Sequence, residues 1–188
     1  MTAKPGKSEK AGRARRTATG APPRQGGIVS SSHLVSAKSV ELSEFEFGLI
    51  VAWNAFSRWV VRCMAAAGHP DLTITDVLLV HHVSHRTRNK KLADICFVLN
   101  YEDTHVVAYS LKKLVAAGLV EASKQGKEVF YSPTPQGEDL VRQYREVRED
   151  CLIKSLDTEL NADIGELARL LRTMSGMYDQ AARAATSL

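Results

Sequence analysis

From Ala37 onward, apolar residues recur every three or four positions, the spacing of one face of an α-helix. The first such series predicts one long helix, which Gly68-His69-Pro70 brings to an end. It comprises Leu49, Trp53, Phe56, Val60, Cys63 and Ala67.

Three shorter helices follow. The second helix begins after Thr73, which stands three residues before Asp76 as in a capping box, and it runs to about His85 and Arg86. The third covers Leu92 to Leu99. The fourth is capped by Asp103 or Thr104 and ends at Gly118. Its predicted buried side carries Val107, Leu111, Leu114 and Val115.

A β-hairpin is predicted after the fourth helix. The segments 119–122 and 128–131 flank the glycine-containing turn 123–127, which has hairpin length. Pro133 and Pro135 close the second strand.

Two helices complete the chain, and the last one carries an unbroken heptad pattern. Its apolar residues alternate steps of four and three, as in a coiled-coil seam. The seam packs either on the protein's own core or on a second copy, and we expect a homodimer because a small domain cannot cover both long helices. The seam consists of Leu160, Ile164, Leu167, Leu171, Met174, Tyr178 and Ala181.

Positive charge is concentrated in two parts of the chain. Residues 1–36 carry seven lysines and arginines against Glu9 alone, and residues 81–128 carry eight basic and five acidic residues. The first segment lacks the apolar residues needed for a core, so we expect a disordered basic tail. Both segments favour a polyanionic partner. For the tail, contact with DNA phosphates and simple solubilisation are equally open.

The composition also excludes several classes of protein. No apolar run approaches 18 residues and no secretory signal is present, so neither a membrane span nor export is expected. Three separated cysteines indicate a reducing compartment, and we expect a cytoplasmic protein. No motif of an enzyme or a cofactor site is found. His81 and His85 are spaced like metal ligands, but ordinary histidines at a helix end are the favoured interpretation.

The order helix, turn, capped helix and basic hairpin is that of a winged helix-turn-helix. We therefore predict a mostly α fold with a small β-hairpin wing and long terminal dimerisation helices. The DNA-binding lobe spans about 73–134, and the dimerisation helices span about 37–68 and 135–185. A recognition helix of about 12 residues fits the major groove. Its exposed face would present Thr104, His105, Ala108, Tyr109, Lys112 and Lys113, and the wing would add Lys124, Gln125 and Lys127.

Three segments also resemble the MarR-type transcriptional regulators. The run 111–120 is similar to the end of that family's recognition helix and its entry to the wing. Asp71-Leu72-Thr73 resembles the opening of its second helix, and Thr134-Pro135-Gln136-Gly137 resembles the segment after the wing. The resemblance covers about residues 40–185. It implies a dimeric regulator of transcription, better a repressor than an activator, that binds a pseudo-palindromic operator in double-stranded DNA.

The chain departs from the family pattern at two places. Gln125 and Lys127 stand where the family's wing usually carries Asp and Arg, which puts minor-groove reading by the wing in doubt. Ala108 and Tyr109 replace a small hydroxyl residue and an arginine on the recognition helix. The target sequence therefore does not transfer from relatives.

The resemblance further implies control by a small-molecule effector or by oxidation. Trp53, Trp59 and Cys63 are candidates to line the effector pocket, although a buried structural thiol is the favoured interpretation of Cys63. Two alternatives stay open: a winged-helix module that binds protein, and an architectural DNA-binding protein without operator preference.

Overall fold

The computed structural model describes residues 38–85 and 89–188. The chain divides into two units, 1–50 and 51–188, each described by itself. The boundary falls within helix α1 (Glu41–Ala66), whose first turn carries the acidic residues that favour a helix N-terminus. The predicted disordered tail 1–36 lies outside the described residues.

The second unit contains the rest of α1 and all later elements. Their order matches the prediction, apart from the short first strand and a single 3-10 turn after α5. They are α2 (Ile74–Ser84), β1 (Lys90–Lys91), α3 (Leu92–Leu99), α4 (Thr104–Ala116), β2 (Val120–Gln125), β3 (Glu128–Pro133), α5 (Pro135–Cys151), the 3-10 turn (Ile153–Ser155) and α6 (Thr158–Ala185).

Local capping explains where the helices begin and end. The capping box of Thr73 and Asp76 is present in both directions at the start of α2. Asp103 accepts a hydrogen bond from the His105 backbone N–H at 2.8 Å and so opens α4. Asn100 ends α3 in the left-handed conformation, with φ of 55°, which asparagine tolerates better than most residues. These signals are local in sequence, which is why the helix order was predictable.

The wing is a three-stranded antiparallel sheet in the order β1-β3-β2. Glu128 pairs with Gln125, so the hairpin turn has two residues and not the predicted five. Gly126 takes the first turn position with φ of 66°, which glycine adopts without strain. The strands consequently extend further toward the tip than the sequence pattern indicated. β1 was not predicted, because a pair of lysines gives no strand signal of its own.

One hydrophobic core holds the helix-turn-helix and the base of the wing together. Val115, predicted to be buried, is 36% exposed, because it turns away from the stripe formed by Val107, Leu111 and Leu114. The predicted mostly α fold with a β wing is otherwise confirmed. The largest fully buried side chains of the core are Met64, Leu79, Ile95, Leu111, Leu114 and Leu119.

Helix α6 contributes no buried residue. Leu160, Leu167 and Leu171 of its seam are exposed, whereas Met174 and Tyr178 are half-buried. The Asn100 amide donates a hydrogen bond to the Asp179 carboxylate at 3.3 Å, a contact near the C-terminal end of α6. No helix within 38–85 and 89–188 is long and apolar enough to cross a membrane.

Candidate nucleic-acid interface

The predicted recognition helix α4 presents one polar face to solvent. Thr104, His105 and Lys112 are exposed, Ala108 is half-buried, and the Tyr109 side chain is 74% exposed. At 100° per residue these five positions share an arc of about 140° on the helix. The structure therefore brings together, on one face, five of the six recognition-helix residues predicted from the sequence.

Lys113 differs from its neighbour Lys112. Its Nζ donates to the Asp76 carboxylate at 2.7 Å and to the Asp71 carbonyl at 2.8 Å. Lys112 is exposed and makes no ion pair with any described residue. The ammonium group of Lys113 is thus already occupied within the protein, at the edge of the face that Lys112 shares.

Asp76 is a buried acid, only 2% exposed, in the first turn of α2. It accepts hydrogen bonds from the Thr73 backbone N–H and hydroxyl, both at 2.8 Å, and from the Ser110 hydroxyl. Burial alone would raise the pKa of Asp76, but the hydrogen bonds from Lys113, Ser110 and Thr73 outweigh it and hold the pKa below its usual range. The carboxylate is therefore ionised at neutral pH and joins α2 to α4.

The wing presents its predicted residues at the hairpin tip. Lys124, Gln125 and Lys127 are all exposed. Two cations at the tip of a projecting hairpin can reach phosphates beside the groove that α4 would enter. Lys127 is a point charge and lacks the planar fork of arginine, so it suits phosphate contact better than minor-groove reading.

A basic run of four residues, Arg86, Arg88, Lys90 and Lys91, precedes α3, and its two lysines have structural roles that the sequence did not reveal. Lys90 Nζ donates to the carbonyls of Val83 and His85 at 2.9 and 2.7 Å, at the C-terminal end of α2. Lys91 pairs with Glu128 at 2.6 Å across the sheet, and its ammonium lies 5.3 Å from the centre of the Phe130 ring. Arg86 and Arg88 of the same run lie outside the described residues.

A family model matches the segment that contains α4 and the wing. The model of the winged helix DNA-binding domain matches residues 72–137, which span α2 to the start of α5. Residues 72–137 have the winged helix fold. None of the curated protein sequences matches the chain.

Solved structures extend the likeness beyond this domain. AbfR of Staphylococcus epidermidis is 17% identical with a TM-score of 0.60, over 75% of this chain and 99% of that one. A MarR transcriptional regulator from Methanosarcina mazei Go1 is 14% identical with a TM-score of 0.58, over 70% and 96%. BpsR of Bordetella bronchiseptica, whose DNA binding is regulated by 6-hydroxynicotinic acid, is 21% identical with a TM-score of 0.50, over 66% and 90%. The chain has the MarR-type winged-helix fold.

The three candidates for an effector site lie in different surroundings on α1. The Trp53 ring is 49% exposed beside Phe56, with ring centres 6.1 Å apart, whereas Trp59 packs partly buried against the core. Cys63 is buried, and its thiol donates to the Tyr144 carbonyl at 3.6 Å. Burial raises the pKa of the Cys63 thiol, which disfavours the reactive thiolate.

Two cavities lie along α2, and both are lined by His82 and His85. One has a volume of about 460 Å³ and reaches Asp94 and Phe97 of α3. The other, of about 510 Å³, reaches His81, Ser84 and Val141. His81 Nε2 and the Ser84 hydroxyl are buried without a hydrogen-bond partner among the described groups. These atoms were not predicted as site residues, since a buried orphan polar group has no sequence signature.

The histidines of α2 favour their neutral form. Burial, followed by the nearby Arg148, lowers the pKa of His81, whose ring packs edge-on against Tyr144 at 4.4 Å. Burial is the main cause that lowers the pKa of His82, and electrostatic repulsion by Lys90 and His85 adds to it. In the described part of the chain, no three His, Cys, Asp or Glu side chains are grouped to hold a metal ion.

Proposed function

We propose that this protein is a dimeric transcriptional repressor that binds a pseudo-palindromic operator in double-stranded DNA. The family-model match and the structural neighbours support a DNA-binding transcription regulator. The observation that carries the proposal is the exposed face of α4, together with the exposed lysines at the tip of the wing. In this proposal Thr104, His105, Ala108, Tyr109 and Lys112 enter the major groove, while Lys124, Gln125 and Lys127 lie along the backbone.

The proposed homodimer is supported by the two long helices. Helix α6 exposes Leu160, Ile164, Leu167 and Leu171 of its heptad seam, and α1 exposes Trp53 and Phe56. A row of exposed apolar residues along one side of a helix is typical of an interface. A second copy, which carries the same heptad seam, supplies a matching surface, and its two-fold axis would place two α4 helices about one DNA turn apart.

Control by a small molecule is supported by the cavities along α2. They lie within the domain that carries α4, and His81 and Ser84 offer buried polar atoms to a ligand. A ligand acts there only if it binds the DNA-competent and DNA-incompetent forms with different affinity. Trp53 and Trp59 remain candidate contributors from α1. Oxidation of Cys63 is less well supported, because its thiol is buried. A cytoplasmic location is part of the proposal and is supported by DNA as the proposed partner.

The proposal is tested by fluorescence anisotropy of the purified protein with the DNA upstream of its own gene. Scrambled DNA of equal length is the control, and both titrations are repeated across a salt series. We expect salt-sensitive binding that prefers the upstream DNA by about a thousandfold or more. Tyr109→Ala should reduce this preference, because it removes a side chain from the face that reads bases.

The two alternatives give different results in the same experiment. Equal affinity for both DNAs would indicate an architectural DNA-binding protein. No binding even at low salt would indicate a winged-helix module for a protein partner.

A further inference from the structure

The adjacent lysines of α4, Lys112 and Lys113, differ in whether their ammonium groups are available for a phosphate contact. Lys112 stands on the exposed face, whereas the Lys113 ammonium is held by the Asp76 carboxylate at 2.7 Å and the Asp71 carbonyl at 2.8 Å. A phosphate contact by Lys113 would require it to leave a buried acid. That acid would then lose its only cationic partner among the described residues.

Asp76 joins the first turn of α2 to the middle of α4. On α2 it closes the capping box with Thr73, and on α4 it receives hydrogen bonds from Ser110 and Lys113, one helical turn apart. A buried carboxylate with partners on both helices fixes their relative rotation more tightly than apolar contacts do, because hydrogen bonds are directional. The orientation of α4 relative to α2 therefore depends on the Asp76 carboxylate.

We propose that Lys113 is a positioning residue, which sets the orientation of the recognition helix through Asp76 and makes no phosphate contact. The inference rests on the proposed function, since it concerns the helix that would enter the groove. It assigns different jobs to the two lysines. Lys112 supplies sequence-independent attraction to phosphate, and Lys113 supports discrimination between sequences. Base contacts need α4 at a defined angle, whereas attraction to the backbone tolerates small shifts.

The test measures two quantities for each variant: the dependence of DNA affinity on salt, and the ratio of affinities for upstream and scrambled DNA. Each phosphate contact contributes about 0.9 to the slope of log K against log salt. The proposed dimer has one Lys112 in each subunit, so Lys112→Met should remove two contacts, lower the slope by about 1.8 and leave the ratio unchanged. Lys113→Met should leave the slope unchanged and lower the ratio by about tenfold, the equivalent of one lost base contact.

A second pair of variants guards against misfolding and against a general structural effect. Lys113→Met leaves a buried acid unpaired, whereas Asp76→Asn combined with Lys113→Met removes both charges and keeps the polar shape. The combined variant should retain the wild-type slope and show the reduced ratio. Lys113→Arg keeps the cation beside Asp76 and should restore the ratio. Urea unfolding at the assay pH establishes that each variant is folded.

The outcomes separate this inference from the proposed function. A slope lowered by about 1.8 in Lys113→Met or in the combined variant would overturn the positioning role and make Lys113 a phosphate contact in both subunits. An unchanged slope together with an unchanged ratio would overturn it as well. If the wild-type protein binds no DNA, the proposed function fails and takes this role with it. If the wild-type protein binds DNA and the variants without the Lys113 cation have a lower slope, only the positioning role of Lys113 is wrong.

Discussion

Gly137, in the first turn of α5, lies directly against the backbone of Leu119 at the entry to the wing. A Cβ atom at this position would overlap the Leu119 carbonyl oxygen and come within 3.0 Å of the carbonyl carbon. The Thr134 hydroxyl reinforces the junction, because it donates to the Gly118 carbonyl at 2.6 Å and accepts from the Gly137 N–H at 3.0 Å. The N-terminal end of α5 is thus fastened to the base of the hairpin.

We expect Gly137→Ala to destabilise the protein by about 1–3 kcal/mol, because backbone has to move to admit the methyl group. The matched control is Gly176→Ala in α6, where nothing lies within 4 Å of an added Cβ. There alanine should be neutral or slightly stabilising, since it is the better helix former. Urea unfolding of both variants measures the difference. Equal stability of the two would mean that the junction yields easily.

The heptad seam of α6 gives a direct test of the dimer. Leu171→Glu places a charge in the middle of the seam, and we expect it to shift the protein from dimer to monomer in sedimentation velocity. Thr173→Glu adds the same charge to the same helix away from the seam, and it should leave the dimer intact. The reason is that a charge buried in an apolar interface without a partner is costly. Dissociation by both variants, or by neither, would contradict the seam as the interface.

The sequence predicted the elements of this fold well because their signals are local. Capping residues such as Thr73 and Asp103 act on backbone within three residues, and the helical period of α4 separated its exposed face from its core. The two-residue strand β1 escaped prediction, since it exists only through pairing with Tyr131 and Phe130, some forty residues later.

The candidate interface was less predictable, because the contacts that decide it join residues far apart in the sequence. Periodicity places Lys112 and Lys113 side by side, and nothing local distinguishes them. The distinction comes from Asp76, which is 37 positions from Lys113 and 34 from Ser110. One signal was present: Ser110 is a polar residue on the inward side of α4, and such a residue requires a buried hydrogen-bond partner.

His81 predicts how stability changes near neutral pH. Because its pKa is lowered by burial, the unfolded chain takes up a proton near pH 6.5 while the folded protein does not. The free energy of unfolding should therefore fall as the pH drops from about 7.5 through 6.5, until the folded pKa is reached. His82 contributes in the same direction. His81→Phe keeps an aromatic ring against Tyr144 and removes one of the two contributions, so its urea midpoint should fall less. Identical pH dependence in the variant and the wild type would contradict this assignment.

The lowered pKa of Asp76 predicts how stability changes at more acidic pH. Its folded pKa lies below the ordinary value of 3.8, so its ionised form contributes stability that is present above that pH and lost as the pH falls through the folded pKa. Removing the cation with Lys113→Met raises the pKa of Asp76. The stability gap between the variant and the wild type should therefore be largest near pH 7 and shrink as Asp76 takes up a proton. Urea unfolding from pH 7 to about pH 4 measures the gap, and a constant gap would show that Lys113 stabilises the fold by packing alone.

The contact proposed for the wing is tested by removing one positive charge, with a matched control elsewhere in the chain. Lys127→Ala removes a cation from the exposed hairpin tip of each subunit, where we propose a phosphate contact, and should lower the salt slope of DNA binding by the dimer by about 1.8. Lys154→Ala removes the same charge from the turn after α5, outside the matched domain, where the lysine pairs with Asp150 at 2.5 Å. This control should leave the slope unchanged. If both variants lower the slope equally, the effect comes from net charge rather than from a contact, and the wing tip does not touch the DNA backbone. If Lys127→Ala leaves the slope at its wild-type value, α4 binds DNA without help from this residue.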